Sequence, residues 1–141
     1  MLLSIIIPIY NEKDKLPRLI SILKNNFAKH QIIIVDDGSN DGSKEYLKHH
    51  DCFDTIYINP NRGKGNAIKV ALKKVKHKSV LLIDGDLEID MESIKSKIVF
   101  KEGLIMVGNR WEYQRGKSIQ ILGNIILNYF FNFLFKTNFN D

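Results

Sequence analysis

Four short apolar runs recur along the chain, and each one ends in a cluster of polar residues. Leu2–Ile9 leads into Tyr10-Asn11-Glu12, and Gln31–Val35 into Asp36-Asp37-Gly38-Ser39. Thr55–Ile58 leads into the loop from Asn59 to Gly65, and Val80–Ile83 into Asp84-Gly85-Asp86, with Glu88 close behind. A continuous apolar run of this length, closed by turn formers, predicts a buried strand of a parallel sheet. The stretches between the runs carry helical spacing. Leu16, Leu19, Ile20, Leu23 and Phe27 predict a helix over Asp14–Phe27, with Asp14 as its cap and Pro17 in the first turn. Further helices are predicted over Asp41–His49, over Asn66–Lys76 with Ile68, Ala71, Leu72 and Val75 inward, and over Met91–Phe100. A last strand is predicted over Leu104–Val107. Strand and helix alternating in this way predict an α/β fold: a mostly parallel, Rossmann-like sheet with helices on both faces. All-β and helical-bundle folds are excluded by the same alternation.

A chain of 141 residues is one domain's worth, enough for a real core. Its formal charge of +5 is compatible with anionic substrates, nucleic acid or an acidic membrane surface, and does not choose among them. A single cysteine, Cys52, excludes an internal disulfide framework and a paired-cysteine zinc site, and is expected as a small, partly buried residue. His30, His49, His50 and His77 fall in loops or at helix ends, without the spacing of a zinc site or a catalytic triad. Met1 leads directly into a strand rather than into a signal peptide, and no apolar run reaches the ~20 residues of a membrane span.

In a parallel sheet all strand ends of one sense share an edge, so the four polar clusters lie along one rim. Ligands of open α/β sheets bind in the crevice there. Two aspartates flanking a glycine can converge on one hard divalent cation, Mg²⁺ or Mn²⁺, beside a phosphate-bearing ligand. Taken alone, Asp84-Gly85-Asp86 reads as a solvated turn. In the company of the other three clusters, the metal–diphosphate reading is the better one. Asp36 and Asp37 are adjacent carboxylates that repel without a partner, and a carboxylate there suits a nucleobase N–H or a ribose hydroxyl. Asp41 and Ser43 are explained by helix capping. Arg62-Gly63-Lys64-Gly65 opens a helix and suits a phosphate, although it matches neither a Walker loop nor a dinucleotide fingerprint. Lys69, Lys73, Lys74, Lys76 and Lys78 read as a solvated face; without interleaved aromatics they argue against nucleic acid. Arg110 and Arg115 suit bidentate phosphate recognition or are ordinary surface arginines.

The stretch from Lys117 to Phe135 is unusual. Gln120, Asn124, Asn128 and Asn132 recur every fourth residue, and five of the eight phenylalanines lie between Phe130 and Phe139. This predicts a helix whose wide apolar face needs a membrane interface, a second subunit or protein beyond Asp141. The expected division is therefore 1–116 for the α/β domain and 117–141 for the Phe-rich helix and tail.

SIIIPIYNE (Ser4–Glu12), VDDGSNDGS (Val35–Ser43), NRGKGNAI (Asn61–Ile68), LLIDGDLE (Leu81–Glu88) and VGNR (Val107–Arg110) follow one another in order. Together they resemble the inverting glycosyltransferases of family two, with the GT-A fold, and within them the polyprenyl-phosphate enzymes of the dolichol-phosphate mannose synthase kind. The resemblance implies that Pro8, Tyr10, Glu12 and Asp37 hold the nucleoside of a UDP- or GDP-linked sugar. Asp36, Gly63, Lys64, Asp84 and Gly85 complete the expected donor site. Asp84 and Asp86 match the family's DXD metal motif, with Glu88 assisting, and Mn²⁺ or Mg²⁺ is the implied cofactor. Arg110 and Arg115 would meet the acceptor lipid phosphate, which makes Asp84, Asp86 and Arg110 the expected catalytic set. The Phe-rich helix would lie peripherally on the cytoplasmic side of a membrane, or pair two copies of the chain. The family usually continues through an Asp followed by Gly-Phe-Arg, whereas this chain reaches Asn140-Asp141 where that Asp would fall. The resemblance thus implies a missing C-terminal part, assigns no catalytic base, and leaves open a module that binds donor without transferring sugar. A sugar nucleotidyltransferase would carry a Gly-rich basic loop where Tyr10-Asn11-Glu12 stand. A phospho-receiver domain would place its paired aspartates after the first strand and its phosphoacceptor after the third, an order that fails here.

Overall fold

The computed structural model describes residues 2–50, 52–87 and 94. Over them run β1 (Leu3–Ile9), α1 (Leu16–Phe27), β2 (Gln31–Asp37), α2 (Ser43–Lys48), β3 (Asp54–Ile58), α3 (Lys64–Leu72) and β4 (Ser79–Leu82). The four strands form one sheet in the order β3-β2-β1-β4, every neighbouring pair parallel. Ile5 sits opposite Ile32 on one side and Leu81 on the other, which fixes the register at the sheet centre. The expected α/β class is therefore observed. The division at residue 116, the strand at Leu104–Val107 and the Phe-rich helix lie outside the described residues, as does the helix over Met91–Phe100 apart from Ile94.

The strand order explains where the helices go. Right-handed crossovers place α1 and α2 on one face as the chain steps from β1 to β2 to β3. The return from β3 to β4 runs in the opposite direction, so the same handedness puts α3 on the other face. The two cores follow from the period-2 alternation of the strands. Ile5, Ile7, Ile9, Ile32 and Ile34 pack under Leu16, Leu19, Ile20, Leu23, Phe27 and Leu47, while Ile6, Ile33 and Val35 pack under Ala67 and Ala71.

Local differences from the sequence expectation have identifiable causes. α1 starts at Leu16, and Asp14 does not cap it; the Glu12 carbonyl instead accepts the Lys15 and Leu16 N–H groups and opens the helix. Pro17 falls in the first turn as expected. β2 continues through Asp36 and Asp37, which pair with Tyr57 and Ile58 of β3. α3 buries Ala67 and Ala71, whereas Leu72 is 51% exposed. Small side chains let this helix lie close to the sheet, and the leucine is left outside the contact. α3 covers β1 to β3 but not β4, so the run expected to be fully buried alternates instead, with Val80 43% and Leu82 46% exposed. Cys52, expected as partly buried, is exposed.

At the amino-terminal edge of the strands, a polar clamp fixes the far end of α3. The buried Ser4 hydroxyl donates to Gln31 Oε1 (2.6 Å) and accepts the N–H groups of Lys76 and His77. Gln31 Nε2 donates to the Lys74 carbonyl (3.0 Å) and to Asp54 Oδ2 (2.8 Å).

Phe27 is fully buried at the end of α1, so Phe27→Ala is expected to cost about 3–5 kcal/mol in urea unfolding. Leu72→Ala should stay within about 0.5 kcal/mol of the parent chain; a larger loss would contradict the assignment of Ala67 and Ala71 as the seat of α3.

Candidate functional site

Outside the carboxyl ends of the strands lies an open cleft of about 410 Å³. It is lined by Pro8, Ile9, Tyr10 and Glu12 from the end of β1, and by Asp37 from the end of β2. Asn61, Gly63 and Lys64 line it from the entry to α3, and Asp84, Gly85 and Asp86 from the end of β4. The strand order reverses between β1 and β4, the kind of place where such sheets hold ligands.

The loops after β1 and β2 are fastened to each other. Asn11 N donates to Ser39 Oγ (2.9 Å), Asn40 N to Asn11 Oδ1 (2.9 Å) and Glu12 N to Ser43 Oγ (3.2 Å). Lys13 N donates to Asp41 Oδ2 (2.9 Å), whose other oxygen accepts Ser43 N (2.9 Å) at the start of α2. Asn11 holds a positive φ of 56°, a conformation that asparagine tolerates better than most side chains. Much of the Asp36–Ser43 stretch is thereby committed to shaping the rim.

Asp36 and Asp37 are buried neighbours, but successive side chains on a strand point to opposite faces. Asp36 Oδ1 accepts Ser39 N (3.1 Å) on the α1 side and staples its own turn; Asp36 is not among the cleft-lining residues. Asp37 points to the α3 side, where Oδ1 accepts Arg62 N (3.0 Å) and the residue lines the cleft. The repulsion expected between the two carboxylates is thus relieved by divergence and by backbone donors, so it is not itself a reason for a bound ligand. Gly38 permits this junction, since a Cβ there would lie 2.7 Å from Asn61 N.

Lys64 is the first residue of α3, after Gly63 at φ 86°, ψ 155°, a region that glycine alone enters readily. Its ammonium pairs with Asp84 Oδ1 at 2.5 Å across the cleft. Leu82 and Asp84 fall on the α3 side of the sheet by the same alternation that places Asp37 there. Between Asp84 and Asp86, Gly85 is buried, and a Cβ on it would collide with the Ile9 side chain. Glu12 faces the cleft and pairs with Lys15 (2.7 Å). Among the described residues the lining therefore carries four carboxylates, Glu12, Asp37, Asp84 and Asp86, against the one ammonium of Lys64.

Pro8, Tyr10, Glu12, Asp37, Gly63, Lys64, Asp84, Gly85 and Asp86, all expected as site residues, meet around this one cleft. Glu88, Arg110 and Arg115 lie outside the described residues, and among the described residues no cluster of three potential metal ligands is assembled. The donor set nevertheless fits a hard cation. The Asp84 and Asp86 carboxylates, one residue apart, both line the cleft, and Asp84 already holds a positive group, the Lys64 ammonium. Two lining residues were missed in the sequence. Asn61 stands beside Arg62 and Lys64, whose charge is the stronger signal for a phosphate, and Ile9 is indistinguishable from its apolar neighbours.

The family model of glycosyl transferase family 2 matches residues 4–136, nearly the whole chain. The chain belongs to glycosyltransferase family 2. It is 33% identical over 138 residues to an undecaprenyl-phosphate 4-deoxy-4-formamido-L-arabinose transferase of Serratia proteamaculans, covering 88% of this chain and 42% of that protein. It is 30% identical over 135 residues to a dolichyl-phosphate beta-glucosyltransferase of Trichomonas vaginalis, covering 82% and 42%. The chain thus spans less than half the length of these relatives. Among solved structures, the mannosyltransferase of Pyrobaculum calidifontis in complex with GDP-Man and Mn²⁺ superposes with a TM-score of 0.53 at 22% identity, over 60% of this chain and 27% of that one. S. aureus TarS in complex with UDP superposes with 0.53 at 27% identity, over 61% and 28%. These likenesses agree with the GT-A glycosyltransferase fold.

Asp41 offers a test of the rim. Partial burial pushes its carboxyl up, but hydrogen bonds from the Ser43 hydroxyl and from the Lys13 and Ser43 N–H groups outweigh this and hold it below the usual range. A carboxylate depressed in the folded state stabilises above its unfolded pKa and loses that contribution as pH falls through the folded value. Asp41→Asn is therefore expected to be about 1 kcal/mol less stable at neutral pH. The gap should close in strong acid, as read from urea midpoints across the range.

Proposed function

We propose that this chain is the donor-binding part of a family 2 glycosyltransferase that moves a sugar from a nucleotide diphosphate to a polyprenyl or dolichyl phosphate. The charge of the cleft carries this reading. A nucleoside diphosphate is a multiply charged anion, and among the described residues four lining carboxylates, one of them paired with Lys15, stand against one lining lysine, an excess that would repel it in isolation. Such a lining suits an anion that arrives with a divalent cation, and it is unsuited to a bare phosphate or a nucleic-acid backbone. The relatives named for undecaprenyl- and dolichyl-phosphate transfer support the acceptor class, and the neighbours holding GDP-Man with Mn²⁺ and UDP support the donor class.

In this reading the Asp37 carboxylate, anchored through Oδ1 by Arg62 N, receives a base N–H or ribose hydroxyl beside Pro8 and Tyr10. Asp84 and Asp86, with Glu88, hold Mn²⁺ or Mg²⁺, which supplies charge stabilisation to the departing nucleotide. Lys64 and the exposed N–H groups at the start of α3 face the diphosphate. Gly85, pressed against Ile9, keeps the two aspartates close to the sheet edge and leaves the space above them to the donor. The acceptor phosphate oxygen attacks the anomeric carbon as the sugar–phosphate bond breaks, with Arg110 and Arg115 orienting that acceptor. No helix among the described residues is long and apolar enough to cross a membrane. We assign the Phe-rich stretch 117–135 to a peripheral contact with the cytoplasmic face of the membrane, or to pairing of two copies.

The reading is tested by titrating UDP- and GDP-sugars with and without Mn²⁺ on this chain and on Asp86→Asn. The parent chain should bind in a metal-dependent way, and the substitution should weaken binding at least ~10-fold, or ~1.4 kcal/mol. Equal binding by both proteins, or binding indifferent to metal, overturns the assignment. Labelled sugar appearing on a polyprenyl phosphate separates a complete enzyme from a donor-binding part whose transfer needs more chain.

A further inference from the structure

The ion pair between Lys64 and Asp84 spans the cleft at the place where the proposed donor would sit, and its two partners have conflicting duties. Asp84 is one of two aspartates assigned to the divalent cation, and Lys64 is the one cationic side chain among the described residues lining the cleft. Bonded to each other at 2.5 Å, they satisfy one another before any ligand arrives. A divalent cation approaching Asp84 alone meets an oxygen already occupied and an ammonium that repels it. A diphosphate approaching alone meets a carboxylate-rich lining whose one lysine among the described residues is already engaged.

We propose that Lys64 is the resident counter-ion of Asp84 and exchanges that carboxylate for the diphosphate when nucleotide and metal arrive together, so that the metal loads with the nucleotide rather than ahead of it. This rests on the donor-binding reading above. The exchange needs little beyond the lysine side chain. The Lys64 side chain is 54% exposed, so its stem has room to swing. The backbone from which it swings is held by Ala67 and Ala71 on the sheet and by the clamp of Ser4 and Gln31 at the far end of the helix. The partner it leaves is a modest one, because ion pairs this accessible to water are weak. The partner it gains carries more charge and more acceptor oxygens, which favour a lysine as a point charge. Every charge has a partner both before and after: Lys64 with Asp84 at first, then Lys64 with phosphate and Asp84 with the cation.

The sign of one substitution distinguishes this arrangement from a lysine that serves the phosphate alone. Lys64→Met keeps the length of the stem and removes the charge. Mn²⁺ binding is read by electron paramagnetic resonance of the unbound ion, on the parent chain, Lys64→Met and Lys64→Arg, with and without saturating UDP or GDP. Without nucleotide, Lys64→Met should bind Mn²⁺ about 3- to 10-fold more tightly than the parent, with Lys64→Arg close to the parent. With nucleotide present the order should invert, Lys64→Met becoming the weaker by a similar factor. Equal or weaker Mn²⁺ binding by Lys64→Met in the absence of nucleotide overturns the exchange, even where the parent binds nucleotide with metal. Failure of the donor reading looks different: the parent chain then takes up neither nucleotide nor Mn²⁺, or Asp86→Asn matches it, and the exchange falls with that reading.

Discussion

The close seat of α3 on the sheet is the contact on which the cleft depends. Ala67 and Ala71 bring the helix down onto Ile6, Ile33 and Val35, and its amino-terminal end then stands beside the ends of β2 and β4. A larger residue at either alanine would lift the helix, because a core packed at crystal-like density has no slack to absorb the added volume. Lys64 would move away from Asp84, and Arg62 N from Asp37. The clamp built on Ser4 and Gln31 fixes the other end of the connection between α3 and β4, so the helix is pinned at both ends. Two small apolar side chains and one buried hydroxyl thus govern the positions of charges that none of them touches.

The architecture also separates labour between residues that look alike in the chain. Asp36 and Asp37 are consecutive carboxylates, yet one closes a turn on the α1 side and the other faces the cleft on the α3 side. Ser39, Asn40, Asp41 and Ser43 tie the rim together. A motif read as a unit is in fact a strand end, a turn and a helix start, each with its own hydrogen-bonding demand. Backbone N–H groups near a sheet edge need acceptors, and short polar side chains are the nearest supply.

The α/β class was legible in the residues because apolar runs and helical spacing alternate without interruption, and the parallel sheet follows from that alternation. The shared rim was legible for the same reason: strand ends of one sense must lie together. What failed was local and traceable. Leu72 outweighed Ala67 in a reading by hydrophobicity, whereas the packing selected for closeness. Asp14 had the chemistry of a cap, but the Glu12 carbonyl already served that turn. The ladder to β3 carried β2 two residues beyond its apolar run. The bonds of Ser4 to Lys76 and His77 join positions more than seventy residues apart, which no periodicity reports. Ile9 entered the cleft lining through the shape of a strand end rather than through its own chemistry.

The loops after β1 and β2 are laced together by side chain to backbone hydrogen bonds, whereas the opposite side of the cleft ends in one long, half-exposed lysine. The cleft therefore has one stiff wall and one adjustable wall. Rotamers already frozen by folding lose nothing further when a ligand settles against them, while a half-exposed lysine held by one exposed ion pair still has freedom to lose. The ordering entropy of any binding then falls mainly on the side of α3, and the side of β1 and β2 meets a ligand preformed. A cleft made this way selects ligands by shape on the rigid side and tolerates more variation on the yielding one.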